Sequence, residues 1–292
     1  MLALLTIPAL LGLGLAYGYL SDLSEEDGTD TPADQPVEVL LDADAVTFEG
    51  TEAREHVQAN ARDNDLRGGD GNDKLSGLGG DDTIDSGAGD DRIFGGAGDD
   101  VATGGAGDDR IFLGDGDDVS VAGPDGSADG GDDLIRGGSG QDVIADGFGA
   151  NRIFGDTGQD HISTVDNAQS PGTADTVHGG FGDDTLIGDA GDALTGGAGA
   201  DSFVVAARSA TTDAPAMLID FDVREDLFSV VLLETPEAPV EITFEHLPET
   251  SQMAAIVNGQ RVALLNDIEA EDVPFIRTFV TSLTDLTGYQ AA

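Results

Sequence analysis

The chain has no cysteine, no tryptophan and a single lysine, Lys74, among its 292 residues. Without cysteine there is neither a disulfide framework nor a thiolate zinc site. Basic side chains are scarce throughout: 12 Lys and Arg stand against 58 Asp and Glu, a formal charge of −46. A polyanion of that density repels phosphates and releases no counterions on meeting them, which argues against nucleic acid as a ligand. The sequence also lacks His-Glu-x-x-His, Gly-x-Ser-x-Gly and Gly-x-x-x-x-Gly-Lys-Ser/Thr, the spacings that carry metalloprotease, hydrolase and phosphate-loop chemistry. Its four histidines, His56, His161, His178 and His246, are scattered. The chain therefore reads as a protein without enzymatic activity. One further absence is local. From Gly68 to Asp201 there is no Glu, although the block holds 36 of the 43 Gly and 29 Asp. A solvated acidic surface uses both carboxylates. A site that admits only the shorter one, beside backbone that only Gly makes easily, uses Asp alone.

The block is periodic. From Gly68-Gly69-Asp70-Gly71-Asn72-Asp73-Lys74-Leu75-Ser76, a step of nine brings Asp back at Asp73, Asp82, Asp91, Asp100, Asp109 and Asp118. Gly recurs two places before each of these. An apolar residue recurs two places after, at Leu75, Ile84, Ile93, Ala102 and Ile111, with Ser120 the exception. The register jumps by six and resumes at Asp133, Asp142, Asn151 and Asp160. It jumps by six again to Asp175, then runs through Asp184, Asp192 (one residue short) and Asp201. That makes fourteen repeats over residues 68–204. A metal-free, low-complexity Gly/Asp coil explains the composition but not the apolar residue held two places after Asp. A metal-free solenoid does not demand Asp over Glu and Asn.

The pattern, clearest in Gly95-Gly96-Ala97-Gly98-Asp99-Asp100, Gly104-Gly105-Ala106-Gly107-Asp108-Asp109 and Gly179-Gly180-Phe181-Gly182-Asp183-Asp184, resembles the RTX (repeats-in-toxin) family of calcium-binding nonapeptides. The resemblance implies an all-β fold, a right-handed parallel β-roll in which six residues turn, three form a strand and two repeats close one coil. One sheet then stacks Leu75, Ile93, Ile111, Ile135, Ile153, Val177 and Leu194 inward. The other stacks Ile84, Ala102, Ser120, Ile144, Ile162, Leu186 and Phe203. Seven coils at the strand spacing give a roll about 30–35 Å long. The resemblance also implies that the fourteen sixth-position residues, Asp73 to Asp201 with Asn151 among them, bind Ca²⁺. Each shares an ion with its counterpart one coil on: Asp73 with Asp91, Asp82 with Asp100, Asp91 with Asp109, Asp100 with Asp118, Asp142 with Asp160. Shared ligation by carboxylates and carbonyls gives about eight to ten ions. Asn151, and Thr173 in place of Gly at position four, mark weaker or missing sites. The frequent second Asp at position five (Asp81, Asp90, Asp99, Asp108, Asp117) reads as solvated surface.

Such a core is narrow. Carboxylates stacked one strand apart repel by roughly 1 kcal/mol per pair in water and about 3–4 kcal/mol at an effective dielectric of 20. The block is therefore expected to be unfolded without Ca²⁺ and to fold on binding it.

The flanks are less periodic. Residues 1–20 carry no charged side chain and are long enough to form a membrane-spanning helix, so they read as a signal peptide or a membrane tether. Residues 21–45, with Ser24-Glu25-Glu26-Asp27, Pro32 and Pro36, read as an acidic linker. Residues 46–67 read as the N-terminal cap of the roll, with Asn64 and Leu66 placed as in a degenerate repeat. Residues 205–292 read as a small β-rich C-terminal cap: strands at Met217–Phe221 and Leu227–Leu233, and a hairpin about Asn258-Gly259. Ile276, Phe279, Val280, Leu283 and Leu286 follow helical spacing. By resemblance, a C-terminal segment of this kind often carries a type I secretion signal. The expected role is that of an extracellular or cell-surface calcium-binding protein, structural or adhesive. The alternative is a non-catalytic accessory to, or fragment of, a larger toxin-like or enzyme-linked system.

Overall fold

The computed structural model describes residues 36–121, 130–166, 173–207, 214–233, 242–247, 249–276 and 278–282. Among these, twenty-four strands run in chain order. Before the periodic block come β1 (Val37–Leu40), β2 (Thr47–Thr51) and β3 (Glu55–Gln58). Then follow β4 (Asp65–Asp70), β5 (Lys74–Ser76), β6 (Thr83–Ala88), β7 (Arg92–Ala97), β8 (Val101–Ala106), β9 (Arg110–Asp115) and β10 (Val119–Val121). The array continues with β11 (Leu134–Ser139), β12 (Val143–Ala145), β13 (Arg152–Thr157), β14 (His161–Ser163), β15 (Thr176–Phe181), β16 (Thr185–Gly188), β17 (Ala193–Ala198) and β18 (Ser202–Ala207). Last come β19 (Ala216–Leu218), β20 (Leu227–Leu232), β21 (Ile242–Leu247), β22 (Gln252–Val257), β23 (Gln260–Asn266) and β24 (Thr278–Ser282).

Odd and even strands separate into two sheets. From β1 to β19 the odd strands follow one another in a thirteen-stranded sheet that ends β19-β23-β22-β21; the even strands from β2 to β20, then β24, make an eleven-stranded sheet. Within the roll every pairing is parallel and joins residues one coil apart, as in Ile93↔Ile111 and Ile144↔Ile162. This is a parallel β-roll. The two inward stacks read from the sequence are both present, and each member from Leu75 to Phe203 is at most 2% exposed. Ser120 takes its place in the core with an unpartnered Oγ.

Most strands run six residues rather than three, as in Thr83–Ala88 and Arg92–Ala97. The reason is a second inward position, the first residue of the repeat, as at Gly77, Gly95 and Leu113. It is buried along with the apolar residue, giving the alternation seen in Arg92–Ala97. The periodic frame also starts earlier than residue 68. Val57 and Leu66 occupy the same inward sites, so residues 46–67 form coils of the same kind. Val37–Leu40, inside the acidic linker by composition, is the edge strand and pairs with β3.

At the other end the sheets continue. Phe228 stacks on Phe203 in register, and the β22–β23 hairpin turns at Asn258 (φ 51°) and Gly259 (φ 85°), the left-handed pair that a tight hairpin needs. The helical reading of the C-terminal stripe fails. Thr278–Ser282, which contains Phe279 and Val280, is a strand paired in parallel with β20, because the open edge of the eleven-stranded sheet offers it a hydrogen-bonding partner. Leu283 and Leu286 lie outside the described residues, as do residues 1–20. Among the described residues no helix is long and apolar enough to cross a membrane. The two inserts join β10 to β11 and β14 to β15; residues 122–129, with Asp125 and Asp129, and residues 167–172 lie outside the described residues.

Candidate metal site

The sixth-position residues form two continuous columns, one on each edge of the roll. In each, a carboxylate accepts the backbone N–H of the sixth-position residue one coil earlier. Along the first column Glu55 donates to Asp73 Oδ1 at 2.7 Å, Asp73 to Asp91 at 2.6 Å, Asp91 to Asp109 at 2.8 Å and Asp109 to Asp133 at 2.8 Å. It continues through Asn151 and Asp175 to Asp192. Along the second, Asn64 donates to Asp82 and Asp82 to Asp100, both at 2.8 Å. Asp118, Asp142, Asp160, Asp184 and Asp201 follow, and Asp201 donates to Asp226 at 2.9 Å. All five pairs expected to share an ion are in contact this way. The inserts leave the columns unbroken. Sequence reasoning missed Glu55 and Asp226 as column members. The signal was present: each is an acid with an inward apolar residue two places on, Val57 and Phe228.

Oδ1 is engaged, and Oδ2 is not. The Oδ2 atoms of Asp73, Asp82, Asp91, Asp100, Asp109, Asp118, Asp142, Asp160, Asp175 and Asp184 are buried with no hydrogen-bond partner. Seven of them, those of Asp73, Asp82, Asp100, Asp109, Asp142, Asp160 and Asp184, face the Gly at the first position of their own repeat, and this explains why that residue is so often Gly. A Cβ on Gly77 would lie 2.0 Å from Asp82 Oδ2 and 2.7 Å from the Gly95 carbonyl oxygen. On Gly95 it would lie 2.4 Å from Asp100 Oδ2 and 2.5 Å from the Leu113 carbonyl. On Gly155 the figures are 2.2 Å from Asp160 Oδ2 and 2.6 Å from the Gly179 carbonyl. A carboxylate oxygen and a carbonyl oxygen thus converge on the space that a side chain would fill.

Orphaned anionic oxygens in a low-dielectric interior are costly unless a cation or proton compensates them. Burial accordingly raises the acid pKa of the column. It reaches about 6 at Asp82, Asp91, Asp160, Asp184 and Asp201 and about 7 at Asp100, Asp109 and Asp142. Asp175 rises to about 9, through burial first and then the charges of Asp192, Asp166 and Asp146. In each case the accepted amide pulls the other way. No three acidic or imidazole side chains gather into one metal-binding group among the described residues. A cation here therefore draws part of its shell from the carbonyls. An all-oxygen set of this kind fits a hard ion such as Ca²⁺.

The departures have local causes. Asn151 keeps the column contact, accepting the Asp133 amide at 2.9 Å, but its Nδ2 donates to the Phe148 carbonyl at 3.1 Å. Thr173 donates through its amide and hydroxyl to Asp166. Asp192 Oδ2 is taken by the Thr164 hydroxyl and the Asp189 amide. Position five is exposed and forms an outer ladder of its own: Asp81 accepts the Asp99 amide at 3.0 Å, and Asp99 accepts that of Asp117 at 2.9 Å.

A family model described as the RTX calcium-binding nonapeptide repeat matches in four copies, at residues 58–93, 85–120, 127–162 and 172–203. No curated protein matches the chain. Among solved structures, a hyperactive, Ca²⁺-dependent, β-helical antifreeze protein from an Antarctic bacterium is 22% identical over 68% of this chain, with a TM-score of 0.30. The extracellular lipase LipA from Serratia marcescens is 15% identical over 84%, with a TM-score of 0.23. The chain spans 64% and 42% of the length of these two proteins, and neither likeness bears on its function. Through the array of residues 58–203, the chain belongs to the RTX calcium-binding nonapeptide repeat family.

Proposed function

We propose that the protein is exported and acts outside the cell by binding rather than catalysis, its roll folding as Ca²⁺ enters the two columns. The observation that supports this most is the row of buried, unpartnered Oδ2 atoms, six of them converging with a carbonyl oxygen on a first-position glycine. Bound Ca²⁺ supplies positive charge and a demand for six to eight oxygens. The chain supplies the rest. The column amides hold each carboxylate in one rotamer through Oδ1, the first-position glycines keep the space beside Oδ2 clear, and the inward aliphatic stacks exclude water. Asp73, Asp82, Asp100, Asp109, Asp142, Asp160 and Asp184, each facing a first-position glycine, are the ligands assigned most directly. Asn151 and Asp192, whose second atoms are satisfied, contribute least. About eight to ten ions follow from shared ligation.

A protein whose fold depends on many modest calcium sites suits the millimolar calcium outside cells. A structural or adhesive role at the surface accords with that location. Residues 1–20 as a tether, or a type I machine acting on the C-terminal segment, are the routes proposed for export. Fractionation of producing cells tests this: recovery in the medium or at the surface supports it, and retention in the cytosol contradicts it. Calcium titration by calorimetry tests the binding; no heat and no gain of β structure would defeat it.

A further inference from the structure

The outward face of the thirteen-stranded sheet concentrates positive charge. All five basic residues of the array stand on its strands: Lys74, Arg92, Arg110, Arg136 and Arg152. Lys74, Arg92 and Arg110 occupy neighbouring strands in direct register, Lys74↔Arg92 and Arg92↔Arg110, and all three are exposed. Like charges set opposite one another repel. Among the described residues none of the three has an acidic partner, while Arg62, Arg67, Arg136 and Arg261 all do. Three unneutralised cations in a row are out of keeping with a chain of formal charge −46.

The neighbouring side chains limit what such a row recognises. Phe94 and Phe112 stack at 5.3 Å with 8° between their planes, and the Lys74 ammonium lies 5.6 Å from the Phe94 centroid. The facing ring surfaces are occupied by one another and by Lys74. Those ring surfaces are therefore closed to bases or sugar rings, and charge at a fixed spacing is what the stripe has to read.

The same coils carry anions at that spacing. Asp81, Asp99 and Asp117, in the turns that follow β5, β7 and β9, are exposed, one to a coil, and locked to the next coil's amide. Both ladders rise by the same coil repeat, and no ion pair joins them within one molecule among the described residues. We propose that the Lys74–Arg92–Arg110 ladder of one molecule docks rung by rung against the Asp81–Asp99–Asp117 ladder of a second copy, roll beside roll. The contact is heterologous: each molecule keeps one ladder unused, so the association propagates beyond a dimer. It requires the folded roll but not that calcium be what folds it, so the two readings fail separately.

The test is sedimentation equilibrium of the full chain with calcium at low salt. Concentration-dependent association is expected, weakened at least tenfold when salt is raised to about 1 M, where the Debye length falls to about 3 Å. Arg92→Glu/Arg110→Glu should abolish it, as should Asp81→Lys/Asp99→Lys, and mixing the two variants should restore it. Circular dichroism confirms that each is folded; the salt series needs no variant. A monomer under every condition overturns the proposal, as does association indifferent to salt and charge reversal, such as contact through residues 1–20. Monomers that bind soluble heparin through Arg92 and Arg110 would also overturn it, marking the ladder as a site for an external polyanion.

Discussion

Asp100 turns Oδ1 onto the backbone N–H of Asp82, one coil earlier, at 2.8 Å, and leaves Oδ2 buried with no hydrogen bond. The two halves of that carboxylate do different work. Oδ1 joins coil to coil and sets the rotamer. Oδ2 is held, by the same constraint, where water does not reach it and where only a proton or a cation relieves it. The contact recurs down both edges, so the roll presents a series of such oxygens at the coil repeat.

Asp100→Asn separates the two halves. The amide oxygen still accepts from Asp82, as Asn151 accepts from Asp133, but the anionic Oδ2 is gone. Calorimetry should show about one ion fewer per chain and a several-fold higher calcium midpoint for folding. A variant with unchanged stoichiometry and midpoint would remove Asp100 from the ligand set.

The first-position glycines are expected to be intolerant for steric reasons. In Gly95→Ala the new methyl meets Asp100 Oδ2 and the Leu113 carbonyl at 2.4 and 2.5 Å, at a cost of about 3 kcal/mol. Gly259→Ala, with nothing within 4 Å but a φ of +85°, should cost only about 1 kcal/mol. Calcium-loaded thermal unfolding of the two variants checks the order.

One repeat carries strain that substitution can release. Leu78 stands at a second position, where most repeats have Gly, with φ at 75° and its side chain 45% exposed. Leu78→Gly should stabilise the calcium-loaded protein by up to about 1 kcal/mol, the left-handed cost less the added chain entropy. A lower melting temperature would show that the leucine contributes packing worth more than the strain.

Protons and calcium compete for the same oxygens, so pH acts in opposite directions on the two forms. Without calcium the column acids have folded pKa values raised by burial from 3.8 to about 6 or 7, as at Asp82 and Asp100. The native state then binds more protons than the unfolded chain, and stability is lost as pH rises through that window. In chelator, β structure should therefore be greater near pH 4.5 than near pH 8. With calcium the order reverses, because acid displaces the ion. Dichroism at both pH values, with and without calcium, measures this.

Much of this architecture was legible in the sequence because a solenoid repeats one local rule. The nine-residue step is enough to place Asp73 and Leu75, and their successors, on the roll. Joined to the family resemblance, it also predicts both inward stacks and five of the column pairs, from Asp73 with Asp91 to Asp142 with Asp160. Where the rule weakens, the reading weakens. Glu55 and Asp226 were missed because their turns lack the Gly-x-Gly signature, although the acid and the apolar residue two places on persist. The Ile276–Leu286 stripe suggested a helix because spacing alone does not reveal an open sheet edge, which draws Thr278–Ser282 into a strand. The outer ladder at Asp81 and Asp99 was invisible as well: an exposed carboxylate and one holding a backbone amide read alike in sequence.

The most direct test of the central claim follows β structure by circular dichroism as calcium is added to chelator-treated protein at neutral pH. The account predicts little β signal without calcium and a cooperative rise as the ions bind. A full β spectrum in chelator at neutral pH, unchanged by calcium, would contradict it.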